Sequence, residues 1–304
     1  MPTDAHHRVL SMGTQTGETH RRGRHVRPRR WGRSLLALLI ACGLIGGGLY
    51  AAMNFIGLNQ GLVREKCTAI VGSSTYTLSP EQASNAALIS AVAIKRGLSE
   101  RAATIGIATS MQESKLTNID YGDNAGPDSR GLFQQRPSMG WGTEKQVMDP
   151  AYAAGRFFQE LATFDYSSMS LTDAAQKVQR SAYPMAYAKH EDLAKAFSAP
   201  LSGSADSALN CTLRPAESAG SPANVNAALR EATGITDAVP DGPRLKVPAK
   251  GKQGWAVAQW AVANAGAMNT ESVSYAGLVW NRAQGEWVSA ATTDGYVIIQ
   301  SATP

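Results

Sequence analysis

Residues 105–137 read IGIATSMQESKLTNIDYGDNAGPDSRGLFQQRP, and the rest of the chain is interpreted outward from them. The first half continues a helix expected over Leu98 to Leu116. Ser99 offers an N-cap, Glu100 sits in the first turn, and Ala102, Ala103, Ile105, Ile107, Ala108 and Met111 fill the interior. One carboxylate, Glu113, falls in the last turn. There it meets poor solvation and the negative end of the helix macrodipole, both of which disfavour the ionised form. A raised pKa is what a general acid working near neutral pH requires. A Glu near a helix end is most often a solvated surface residue, so the assignment depends on its neighbours.

Those neighbours form a pattern. Ser114 follows Glu113, the segment Gly131-Leu132-Phe133-Gln134 begins eighteen residues beyond it, Pro137 closes the loop, and Ala182-Tyr183 comes later in VQRSAYP. In this order the segments resemble the lytic transglycosylase and goose-type lysozyme superfamily, over Ala87 to Phe197. The resemblance implies that Glu113 is the catalytic acid/base, that Ser114 and Gln134 belong to the substrate cleft, and that Tyr183 contacts the glutamate. Two features depart from the family pattern: a longer loop between Glu113 and Gly131, and Pro184 after Tyr183 where Asn is customary.

The loop from Thr117 to Thr143 is long for a compact domain, and such loops are functional or disordered. Its Tyr121, Phe133, Met139 and Trp141 argue against disorder. Aromatic rings and the amides of Asn124, Gln134 and Gln135 are the groups that line a sugar cleft. Tyr121 and Phe133 therefore join the candidate substrate-binding residues, with packing as the alternative role for each.

Charge is segregated along the chain. Residues 1–33 carry eight Arg against Asp4 and Glu18, a net of +6, while the whole chain has +5, so everything else sums to −1. A basic tail at 1–33 followed by the uncharged, apolar stretch 34–58 reads as a cytoplasmic tail and a transmembrane helix, with the bulk of the chain outside by the positive-inside rule. A cleaved signal peptide is the competing reading, although 34–58 is longer than a usual signal core. Nucleic acid is not expected as a partner, because the membrane reading accounts for the arginines.

Outside the membrane remain Cys67 and Cys211, at the two ends of the expected catalytic domain, 67–211. In an oxidising compartment they read either as a disulfide or as two free thiols, and a bridge closing so long a loop would stabilise by roughly 3–5 kcal/mol. Within 67–211, Ser79-Pro80-Glu81-Gln82 is a capping box. Further helices are expected after Asp149-Pro150, from Leu171 to Arg180 with Thr172 as cap, and from Tyr187 to Phe197. The stretch 212–252 reads as a linker with a short helix at Asn224 to Glu231. The stretch 253–304 reads as a small α+β domain, a helix followed by short strands. It contains no Cys or His, which excludes a Cys-His peptidase or a histidine-ligated zinc centre there. It is read as a binding or assembly module for an envelope partner.

The expected fold is thus a mainly α lysozyme-like catalytic domain, a transmembrane helix and a small C-terminal α+β domain, anchored at the cell membrane. The resemblance implies cleavage of peptidoglycan glycan strands between N-acetylmuramic acid and N-acetylglucosamine, with no cofactor and no metal. Asp120, Asp123 and Asp128 are candidates for a second carboxylate of the kind hydrolytic glycosidases use. The family's transglycosylases instead close the muramic 6-hydroxyl onto the anomeric carbon. A non-catalytic wall-binding tether is the rival reading.

Overall fold

The computed structural model describes residues 31–58, 63–124, 126–180 and 184–303. Most of the basic tail at 1–33 lies outside them, as does Tyr183.

Helix α1, Trp31–Leu58, forms a unit of its own. It occupies the stretch expected to cross a membrane, but among the described residues no helix is long and apolar enough to do so. The transmembrane part of the expected fold is corrected accordingly.

Residues 58–304 form one compact unit. Strands β1 (Lys66–Val71) and β2 (Ser74–Leu78) make a hairpin, and β3 (Leu209–Thr212) pairs with β1 on the other side. Cys67 and Cys211 face each other in that register and are joined by a disulfide. The covalent bond and the strand pairing therefore hold the same two chain ends together.

Helix α2 (Pro80–Lys95) begins as its sequence dictates. The Ser79 hydroxyl accepts from the Gln82 amide at 3.2 Å, while the Gln82 side chain accepts from the Ser79 amide at 2.9 Å. Helix α3 (Glu100–Ser114) crosses it closely, and a Cβ on Gly106 would lie 2.9 Å from both Ile89 and Phe158. Ser99 stands at the expected N-cap position, but its side chain makes no capping hydrogen bond. The short α4 (Glu144–Val147) follows the long loop, and α5 (Pro150–Leu161) is capped by Asp149. On α6 (Leu171–Gln179) the cap is Ser170, whose hydroxyl accepts from Asp173 N, while Thr172 is buried. A 3-10 segment, Pro184–His190, then leads into α7 (Glu191–Leu201), later than the expected start at Tyr187.

The region expected as a linker is part of the fold. It forms α8 (Pro222–Thr233), β4 (Val239–Asp241) and β5 (Arg244–Pro248), with Val225, Leu229, Leu245 and Val247 buried. After α9 (Gly251–Ala263) and α10 (Ala265–Met268) come β6 (Thr270–Tyr275), β7 (Leu278–Asn281), β8 (Trp287–Ser289) and β9 (Tyr296–Ser301). The six strands β4 to β9 form an antiparallel sheet in the order β4-β5-β9-β6-β7-β8. The expected mainly α domain with a separate α+β appendage is therefore corrected: two antiparallel sheets and the helices share one core.

The physical reason is α9. Its sequence GKQGWAVAQWAVA is apolar around most of its circumference, so it has no face to give to water. It packs on β6 and β9 on one side and on α2 and α7 on the other. Gln259, its one buried amide, is spent on the junction. It accepts from Leu209 N at 3.0 Å and donates to Pro200 O at 2.9 Å and Ala205 O at 2.8 Å. Trp287 on β8 adds a bond to Leu209 O at 2.9 Å.

Replacing Gln259 by Leu removes three hydrogen bonds to backbone groups, leaves the buried Leu209 amide without this acceptor while Pro200 O keeps Gly203 N, and is predicted to lower stability by about 1–3 kcal/mol. Urea unfolding followed by circular dichroism measures the loss, as one cooperative transition for helices and both sheets.

Candidate active site

Helix α3 ends in two consecutive left-handed residues, Lys115 at φ 55° and Leu116 at φ 56°. Neither is glycine, so the turn must be held by its surroundings. Gln82 and Asn85 on α2 donate to the Lys115 and Leu116 carbonyls, each at 2.8 Å. The end of α3, and Glu113 with it, is thereby fixed to the N-terminal turns of α2.

Ser110 and Ser114, one turn apart, both donate to the Leu132 carbonyl, at 3.0 and 2.8 Å. Arg130 and Gln135 exchange backbone hydrogen bonds at 3.0 Å, making Gly131-Leu132-Phe133-Gln134 the turn between them. Gly131 takes φ +78°, and a Cβ there would lie 2.1 Å from the Val147 carbonyl, so no other residue fits. Gln134 is itself left-handed at φ 47°. Phe133 is fully buried and stacks on Phe157 with ring centroids 4.7 Å apart.

Ser114 is buried and its hydroxyl donates to the Leu132 and Ser110 carbonyls, so it positions the turn. Phe133 is core, because the turn drives its ring inward against α5. Glu113, Gln134 and Tyr121 do come together, lining one cavity of about 310 Å³ with Ile119, Gly122, Asp123 and Ser129. Tyr121 is 64% exposed, so its ring is free to meet a ligand.

Glu113 is half-buried, and its pKa is raised. Loss of water around the carboxyl is the largest cause, and the negative charge of Asp123 adds to it. Hydrogen bonds from Tyr187 and Gln179 pull the other way by stabilising the carboxylate. Tyr187 Oη donates to Glu113 Oε1 at 2.6 Å. Gln179 also donates to the Phe133 carbonyl at 2.8 Å, tying α6 to the same turn.

Sequence reasoning missed Tyr187. The Ala-Tyr pair recurs as Ala186-Tyr187, and the Tyr187 hydroxyl touches the glutamate, while Tyr183 lies outside the described residues. Gln179 left no comparable signal, being one polar residue at a helix end. A comparison with protein-family models and one with curated proteins both find no match. The site is consequently read from its own geometry.

Among the loop aspartates, Asp123 shares the cavity with Glu113. Asp128 is a structural staple: Ser138 and Arg136 hold its carboxyl well below the usual carboxylate range, and its oxygens meet Arg136 Nε at 2.8 Å and Ser138 N at 3.0 Å. Asp120 is exposed and outside the cavity lining. His190 is half-buried with Nε2 3.1 Å from Gln112 Oε1. Among the described residues no cluster of His, Cys, Asp and Glu is arranged to hold a metal ion.

The arrangement can donate a proton and then tolerate the charge left behind. Burial keeps the carboxyl protonated above its ordinary range, and the Tyr187 and Gln179 donors stabilise the carboxylate once the proton has gone. Tyr187→Phe removes a bond to the charged form and is predicted to raise the Glu113 pKa further, whereas Asp123→Asn removes a repulsive charge and lowers it. Titration of the Glu113 side-chain carboxyl by carbon NMR should show the two midpoints displaced to opposite sides of the wild type.

Proposed function

We propose that this protein cuts the glycan strands of peptidoglycan between N-acetylmuramic acid and N-acetylglucosamine, with Glu113 as the single acid/base. One observation carries the reading: a half-buried carboxyl of raised pKa, held by Tyr187, opens onto a cavity that Gln134 and Tyr121 also line. The resemblance of Glu113-Ser114 and Gly131-Leu132-Phe133-Gln134 to the lytic transglycosylase and goose-type lysozyme superfamily supports it. The Cys67–Cys211 disulfide is consistent with work outside the cytoplasm, where the wall lies.

In this mechanism the protonated Glu113 gives its proton to the glycosidic oxygen as the bond to the anomeric carbon breaks. The resulting carboxylate is stabilised by Tyr187 and Gln179. It then takes a proton from the acceptor that closes on the anomeric carbon. That acceptor is the muramic 6-hydroxyl in the anhydro-forming route and water in the hydrolytic one, where Asp123 is the second carboxylate at hand. The proton returns to Glu113 and the site is restored.

Glu113→Gln keeps the size and polarity of the side chain but cannot hand over a proton. It is predicted to lower release of muropeptides from purified sacculi by at least about a hundredfold. Its melting temperature at neutral pH should match or exceed that of the wild type, since an ionisable group is no longer buried. Release that persists in this variant would transfer the acid/base role to another residue, whereas a wild type that binds sacculi without product would favour the wall-binding tether.

A further inference from the structure

Beside the Glu113 cavity lies a larger groove of about 470 Å³, and Gln134 lines both. Gln179 lines the groove while hydrogen-bonding the Glu113 carboxyl, so the acid stands at the seam. The groove has half-buried aromatic walls, Trp141 and Phe164, of the kind on which a sugar face stacks. Its charge is lopsided. Arg136, Arg156, Lys177 and Arg180 line it, against one carboxylate, Glu160.

Two of these cations are already committed. Arg136 pairs with Asp128 at 2.8 Å and Arg156 with Glu160 at 3.3 Å. The ion pairs among the described residues include neither Lys177 nor Arg180. The Lys177 ammonium instead sits 4.2 Å from the centroid of Phe164, on the aromatic wall itself. Arg180 follows Gln179 directly, as the left-handed cap of α6, which places it one residue from a group touching the acid. Two uncompensated cations on the wall of a concave site beside an acid make a receptor for negative charge.

We propose that this groove takes a carboxylate carried as a side branch on the glycan, so that Lys177 and Arg180 select acidic strands over neutral ones. The inference depends on the glycan-cleaving reading and deepens it. Peptidoglycan offers such a carboxylate from two sources, the acidic peptide on muramic acid or, where the peptide is absent, the lactyl group itself. Either one is recognised by the same pair of cations.

The test uses the full-length protein and three forms of one glycan: strands with their acidic peptides, strands stripped to the lactyl carboxylate, and strands whose carboxylates have been converted to neutral amides. Against peptide-bearing strands, Lys177→Gln/Arg180→Gln is expected to raise KM about five- to tenfold with little change in kcat, as two exposed charge contacts would. The wild type should show the same rise on passing to amidated strands, and added salt should shrink its preference. Stripped strands identify the source: a KM near the amidated value assigns recognition to the peptide, one near the peptide-bearing value shows that either carboxylate serves, and one well below the peptide-bearing value assigns it to the lactyl group. Equal wild-type KM on all three, or equal impairment of the variant on acidic and amidated strands, overturns the inference while leaving glycan cleavage intact. A wild type that cuts none of the three overturns both.

Discussion

Withdrawal of water from the Glu113 carboxyl is the constraint on which the rest of this structure depends. A carboxyl in water has no reason to hold its proton at neutral pH, and one buried without partners would be too costly to ionise during a reaction. Here burial and the Asp123 charge act against ionisation, while Tyr187 and Gln179 act for it. The balance leaves a group poised between the two states, which an acid that must later become a base needs.

Holding that balance requires most of the fold. The last turn of α3 is fixed through two left-handed residues bonded to α2, and the Gly131–Gln134 turn is pinned to α3 by Ser110 and Ser114. Tyr187 arrives on a 3-10 segment between α6 and α7, and Gln179 on the end of α6. Behind them, α9 and the six-stranded sheet complete the core that α2 and α7 would otherwise expose. The C-terminal region therefore acts first as a buttress of the site's scaffold. A packing role of that kind also explains why its helix is apolar on nearly every side.

How far this was legible in the sequence varies with the distance over which each signal acts. The caps at Ser79 and Asp149 were readable because a capping box is local chemistry. Glu113 and Gln134 were readable because they sit in a spaced pattern, and the Cys67–Cys211 pairing because two thiols bracket one region. The packing of Ser114 and Phe133 was not legible, since only the folded turn shows the hydroxyl bonded to the Leu132 carbonyl and the ring stacked on Phe157. The choice of Tyr183 over Tyr187 turned on a pair that occurs twice within a few residues, and no local rule ranks the two. The sharing of α9 between sheet and helices was hinted at by its apolar circumference, but while β6 and β9 follow it closely, its helical partners α2 and α7 lie far back along the chain, beyond the reach of any periodicity.

The most direct test of the account is the pH dependence of kcat/KM for glycan cleavage by the wild type, set beside the titration of Glu113 in the same protein. The account predicts a descending alkaline limb whose midpoint coincides with the Glu113 midpoint and lies above the ordinary carboxylate value of 4.5. A rate that stays level while Glu113 loses its proton would contradict it.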